Sequence, residues 1–192
     1  MIKVYSRRQL MAFKPYNAEI EYLESTGTQW IDTLYSVQSF NFSFEINYMQ
    51  TADNSGIKFL MQQVMNYSNF YIAIYSNASN MLSGAWGGDW KASSVSSDRN
   101  RHTVKLQSQK LYRDGAQVLT FSKQTFYTSS NTVSIFGIPA RVYWAKITYN
   151  GTLVRDLIPV RVGNVGYMYD RVSGQLFGNS GTGSFVLGPD KH

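Results

Sequence analysis

Cysteine is absent from this chain. That excludes a disulfide framework, a thiol nucleophile and a Cys-ligated zinc site. Stability has to come from packing, and the absence is neutral about compartment. Histidine is nearly as scarce, with only His102 and His192. His102 lies beside Arg99 and Arg101, and no Ser-x-Gly elbow is present, so neither a nucleophilic triad nor a His-ligated zinc is expected. No run approaches the roughly 20 apolar residues of a membrane helix. The opening MIKVYSRRQLMAF carries Lys3, Arg7 and Arg8 but only a short apolar patch at 10–13. A signal peptide needs an apolar core of roughly 7–15 residues, so no secretion signal is expected. Charged residues make up only 16% of the chain, and the Lys and Arg are scattered singly. The net charge of +6 therefore reads as a solvated surface rather than a nucleic-acid footprint.

Aromatics are plentiful at 15%, and 14 of them are Tyr. Such side chains suit sheet faces and also surfaces that contact ligands. In FNFSFEINYM, residues 40–49, Phe40, Phe42, Phe44, Ile46 and Tyr48 alternate with Asn41, Ser43, Glu45 and Asn47. That is a strand with one buried and one wet face, as in an antiparallel sheet. Further strands are expected at 58–64, 70–75, 81–85, 102–107, 110–113, 117–121, 133–136, 142–149, 153–160 and 166–169. Asn150-Gly151 suits a type I′ hairpin, because both positions accept positive φ. Pro159 is expected to end its strand, since it has no N–H for the ladder. Short strands with frequent turns and no convincing helix predict an all-β, antiparallel two-sheet jelly-roll sandwich. Its length suits one domain, residues 18–192. Residues 1–17 read as a separate basic tail, with Lys3, Arg7, Arg8 and Lys14 before any acid and Pro15 near its end.

Few motifs carry chemistry. Glu19-Ile-Glu21-Tyr-Leu-Glu24 has the outline of the E-x-D-x-x-E of sandwich-fold glycosidases. Alternation puts Glu19 and Glu21 on one face, and retaining glycosidases need two carboxyls about 5–5.5 Å apart. The third acid falls on the opposite face, so the run reads as a solvated strand, and no catalytic residue is expected. Gly178-Asn-Ser-Gly-Thr-Gly183 lacks the Lys and helix of a phosphate loop and reads as a turn. Asp53, Asp89, Asp98 and Asp114 sit in expected loops without Asp-x-Asp clustering, so neither calcium nor any other cofactor is called for. Ser83-Gly-Ala-Trp86-Gly-Gly-Asp89-Trp90 reads as a flexible loop with two large flat side chains, and such loops carry binding on sandwiches. Two readings stand: both Trp cap the core, or Trp86, Trp90 and Asp89, with Tyr67 and Tyr71 beside them, stack on and hydrogen-bond a glycan.

From Glu21 onward the chain resembles the concanavalin A-like lectin/glucanase (laminin-G-like) jelly-roll family found in bacteriophage structural proteins and gut-bacterial surface proteins. The pieces that carry the likeness are YLESTGTQWIDT (22–33), RHTVK (101–105), YRDG (112–115), KITYNGTLVRD (146–156), Ile158-Pro159 and Gly166 to Asp170 through Gly183. They leave out residues 1–17. The resemblance implies two antiparallel sheets, with glycan binding on a concave face or its rim loops in lectin members. It carries over neither catalytic acids nor lectin metal ligands, since neither pattern occurs here. It implies a non-enzymatic virion component (capsid decoration, fibre or tail) that leaves the cell by lysis. The partners would be other virion proteins, through the tail cations, and a host surface glycan. Neither nucleic acid nor membrane insertion is expected, and self-association into a homo-oligomer is open. The alternatives are a bacterial surface carbohydrate-binding protein and a glycan hydrolase using Glu19 and Glu21.

Overall fold

The computed structural model describes residues 14–65, 70–122 and 124–192. Among them there is no helix, and seventeen strands form two antiparallel sheets. In chain order these are β1 (Ala18–Glu19), β2 (Leu23–Thr26), β3 (Ile31–Asp32), β4 (Phe42–Gln50), β5 (Lys58–Val64) and β6 (Tyr71–Ser76). Then come β7 (Met81–Gly87), β8 (Asp89–Ser96), β9 (Arg101–Gln107), β10 (Lys110–Arg113), β11 (Ala116–Thr120) and β12 (Ser134–Ile135). The last are β13 (Pro139–Tyr149), β14 (Thr152–Val162), β15 (Val165–Asp170), β16 (Leu176–Phe177) and β17 (Val186–Leu187).

The larger sheet runs β11-β10-β9-β4-β13-β14-β15-β16, with β1 on β14 and β2 between β13 and β17. The smaller runs β3-β12-β5-β6-β7-β8. Alternation along β4 sends Phe42, Phe44, Ile46 and Tyr48 into the space between the sheets. Val104 and Leu106, then Ala145 and Ile147, join them from the neighbouring strands, while Met61, Ile72, Ile74, Leu82 and Trp86 face them from the smaller sheet. The expected two-sheet sandwich is therefore the observed architecture. Asn150 and Gly151 make the β13–β14 turn with φ of 49° and 77°, as their pairing predicts.

Two local expectations need correction. Pro159 does not end its strand, because β14 runs on to Val162. Pairing with β13 reaches Leu157, whereas β1 pairs at Val160 and Arg161. Pro159 sits where the neighbour changes, its missing N–H costs no ladder bond there, and its carbonyl accepts from Ile20 N–H at 3.1 Å. The boundary at residue 17 is also not sharp. Asn17 N–H donates to the Arg161 carbonyl at 2.9 Å, and its side chain accepts from Gly163 N–H at 2.6 Å. Tyr16 packs on Tyr169 with centroids 4.9 Å apart. Lys14, one of the four tail cations, pairs at the surface with Glu19. Lys3, Arg7 and Arg8 lie outside the described residues.

Candidate functional site

The expected flexible loop at 83–90 is a tight hairpin. β7 runs through Gly87, β8 starts at Asp89, and Trp86 pairs with Asp89 across the turn. The small residues that suggest flexibility serve close packing. A side chain at Gly84 would press on the Phe121 ring, and one at Gly88 on Phe70. The hairpin splits the five proposed glycan residues. Trp86 points inward, 1% exposed, stacked on Phe40 and Phe42 with centroids 4.9 Å from each. Its faces are taken by the core, so it does not belong to a binding surface.

Asp89 is committed locally. It accepts from Ser122 N–H at 2.6 Å and pairs with Lys91 at 3.2 Å. Its partial burial alone would raise its carboxyl, but these partners hold it below the usual range. Tyr71 and Trp90 do come together, on the outer face of the smaller sheet, with centroids 5.0 Å apart. Phe59 stacks on Tyr71, and Tyr75 closes the cluster over Ala73 and Ala85. Tyr67 lies outside the described residues.

That outer face has a legible register. Asp32, Ser134, Gln62, Ala73, Ala85 and Trp90 are successive cross-strand partners from β3 to β8. The row is aromatic at one end and polar at the other. Beside its polar half lies a groove of about 260 Å³ lined by Gly27, Gln29, Trp30, Phe59, Gln62, Ser134 and Gly137. None of these carries charge. Trp30 is 37% exposed, the most exposed large aromatic of the described core and surface. Gln62, whose Oε1 is buried with no protein partner, lines this uncharged recess.

Trp30 is held rigidly. Its N–H donates to Asn179 Oδ1 at 3.2 Å, and its carbonyl accepts from Ser180 N–H at 2.8 Å. Thr28 and Thr182 exchange two more bonds, and Asn179 also accepts from Gly181 N–H. A side chain on Gly181 would run into the Thr28 carbonyl and the Trp30 ring. The loop at 178–183 is thus a clip that fixes Trp30, and glycine is required for its close approach. Gln29 fills the turn beneath, accepting from Ser25, Thr26 N–H and the Thr26 hydroxyl. In the sequence Trp30 stands only within the 22–33 run that carries the family likeness. Its role depends on a clip about 150 residues downstream.

Glu19, Asp98 and Asp114 serve structure. Glu19 bonds Tyr16 and Lys14, and its partial burial is outweighed by those two, so its carboxyl is lowered. His102 bridges Asp114 at 2.6 Å and Asp98 at 2.8 Å, with Arg113 on Asp98 at 2.7 Å. Burial alone would raise the Asp98 carboxyl, yet Asn100 N–H, His102 and Arg113 hold it well below the ordinary value. This cluster pins the β10–β11 turn to the loop before β9. Among the described residues there is no group of His or acidic side chains suited to a metal ion, and no helix long and apolar enough to cross a membrane.

No protein-family model matches the chain. No curated protein matches it either. Among solved structures it is similar to a Trypanosoma rangeli sialidase in complex with 2,3-difluorosialic acid, at 9% identity and a TM-score of 0.47. That likeness covers 80% of this chain and 34% of the sialidase, so the chain spans about a third of that protein's length. It is also similar to the carbohydrate-binding module CBM66 from Bacillus subtilis, at 11% identity and a TM-score of 0.36, over 67% of this chain and 95% of the module.

Proposed function

We propose that this protein is a non-catalytic carbohydrate-binding sandwich whose Trp30–Phe59 groove receives one ring of a neutral sugar. The observation that carries this reading is the groove's composition: an exposed indole on a clipped backbone, a second aromatic wall in Phe59, and uncharged polar side chains from Gln29, Gln62 and Ser134. Sugar rings present apolar C–H faces to aromatics and hydroxyl donors to acceptors. The volume lies just under the roughly 300–1,000 Å³ of drug-sized sites, so it fits one ring of a longer chain. Tyr71 and Trp90 adjoin it through Phe59 and would contact the next unit.

A glycan array followed by fluorescence titration tests this. Trp30→Ala is expected to weaken binding about tenfold or more, the loss of one stacked ring at about 1.4 kcal/mol per decade. Trp90→Ala should cost less. Unaltered affinity in Trp30→Ala would place any binding elsewhere, and a blank array would leave an assembly role alone.

The setting we propose is the surface of a bacteriophage particle, as a capsid, fibre or tail component, and this rests on the sequence resemblance. Lys3, Arg7 and Arg8 would then attach the domain to other virion proteins. Because Tyr16 and Asn17 dock on the domain, the informative truncation removes residues 1–13 only. The shortened protein is expected to keep its melting temperature yet be missing from purified particles. Normal incorporation would end the anchor reading and favour display on a bacterial surface.

A further inference from the structure

The outer face of the larger sheet carries a second surface of different chemistry. Arg101, Lys105, Lys146 and Lys191 are scattered along the chain, but folding gathers them. Lys105 on β9 and Lys146 on β13 are cross-strand partners of the same residue, Glu45 on β4, one on each side. One groove takes in part of this row, and a second includes Trp144 and Arg101. One, of about 260 Å³, includes Glu45, Lys105, Gln107 and Tyr112. The other, of about 280 Å³, includes Arg101, Tyr143, Trp144 and Lys191.

Most other described arginines are already paired. Arg113, Arg141, Arg155, Arg161 and Arg171 each have a carboxylate partner. Among the described residues, Arg101, Lys105, Lys146 and Lys191 form no salt bridge. Two are propped by aromatic rings instead. The Arg101 guanidinium lies 3.8 Å from the Tyr143 centroid, and Lys146 Nζ lies 5.1 Å from that of Trp144. Arg101 Nε also donates to Asn47 Oδ1. Rings and amide hold the charges on the open face, where a water-exposed anion could reach them.

We propose that this face binds an acidic polysaccharide laid across the strands, with anionic groups at Lys105 and Lys146 and a hydroxyl donating to Glu45. The spacing selects the class. Adjacent strands lie about 4.8 Å apart, so Lys105 and Lys146, two strands apart, stand about 10 Å from each other. The acceptor between them repels a third anion. The fitting polymer therefore carries one acid roughly every second sugar, with hydroxyls between. A nucleic-acid strand is charged far more densely, about once per 3.4 Å of helix rise, and would set phosphate against Glu45. This site is independent of the neutral groove on the other sheet.

Affinity electrophoresis tests it, using a polysaccharide with one uronate per disaccharide, one with a uronate on every sugar, and single-stranded DNA. The first is expected to bind tightest, and retardation should fall as salt rises. Lys105→Gln with Lys146→Gln should weaken binding about tenfold, as expected for losing both anion partners. Lys58→Gln with Lys91→Gln, an equal charge change on the other sheet, should stay within about twofold, and Trp30→Ala should match wild type. The proposal is overturned if no polymer is retarded, if DNA or the fully charged polymer binds tighter, or if the control pair loses as much. Retained binding in Trp30→Ala with loss in the lysine pair separates this site from the groove.

Discussion

Replacing Trp86 by alanine is expected to destabilise the fold by about 3–5 kcal/mol, the range for a buried large aromatic. For a domain of this size that lowers the melting temperature by roughly 6–20 °C. The indole is wholly inside, stacked on Phe40 and Phe42, and Phe42 packs in turn on Phe44 at 4.6 Å. Truncation opens a cavity between the sheets that two-sided packing cannot collapse. Trp86→Phe separates volume from polarity. Trp86 Nε1–H is buried without a partner, so phenylalanine loses some volume but also removes an orphan donor. It should therefore cost far less than alanine. Urea denaturation gives the answer as a shift in midpoint at unchanged slope. A loss below about 1 kcal/mol for alanine would return Trp86 to the candidates for a surface role.

The same residue shows what can be read from sequence here. The pattern of β4 and the Asn150-Gly151 turn are local, set by period-two alternation and by positive φ, and both are observed. The run at 83–90 misleads because Gly and Trp together look like a mobile binding loop. Whether a glycine means freedom or close approach depends on what packs over it, and here Phe121 and Phe70 do. Trp30 is hidden for a related reason. Its setting needs the clip from 179–182 and the floor from β5 and β12, which no local window contains. The basic face is the extreme case. Single Lys and Arg residues carry no pattern until β9, β4 and β13 pair in register.

Asp170→Ala is expected to be as damaging as the core truncation, at about 3–5 kcal/mol, the cost of removing one side of a buried charged contact. Asp170 is fully buried at the end of β15. Its Oδ1 accepts from Asp156 N–H at 2.8 Å and Val172 N–H at 3.1 Å. Its Oδ2 accepts from the Ser173 hydroxyl at 2.7 Å and Ser173 N–H at 3.3 Å, with Arg155 Nη1 at 3.6 Å. One carboxylate thus satisfies the turn at 170–174 and ties it to β14. Alanine would strand these donors and leave Arg155 without its carboxylate. Asn keeps one acceptor but turns an N–H₂ toward Ser173 N–H and Arg155, so Asp170→Asn should recover less than half of the loss. Ser173→Ala removes a single bond and should cost only about 1 kcal/mol. That order, Ala then Asn then the Ser173 variant, distinguishes a hub from a simple turn residue. Near-equal losses in all three would show that the turn, not its charge, carries the stability. In either case the Lys105–Glu45–Lys146 row, on the outer face of other strands, should keep its polymer binding while the variant remains folded.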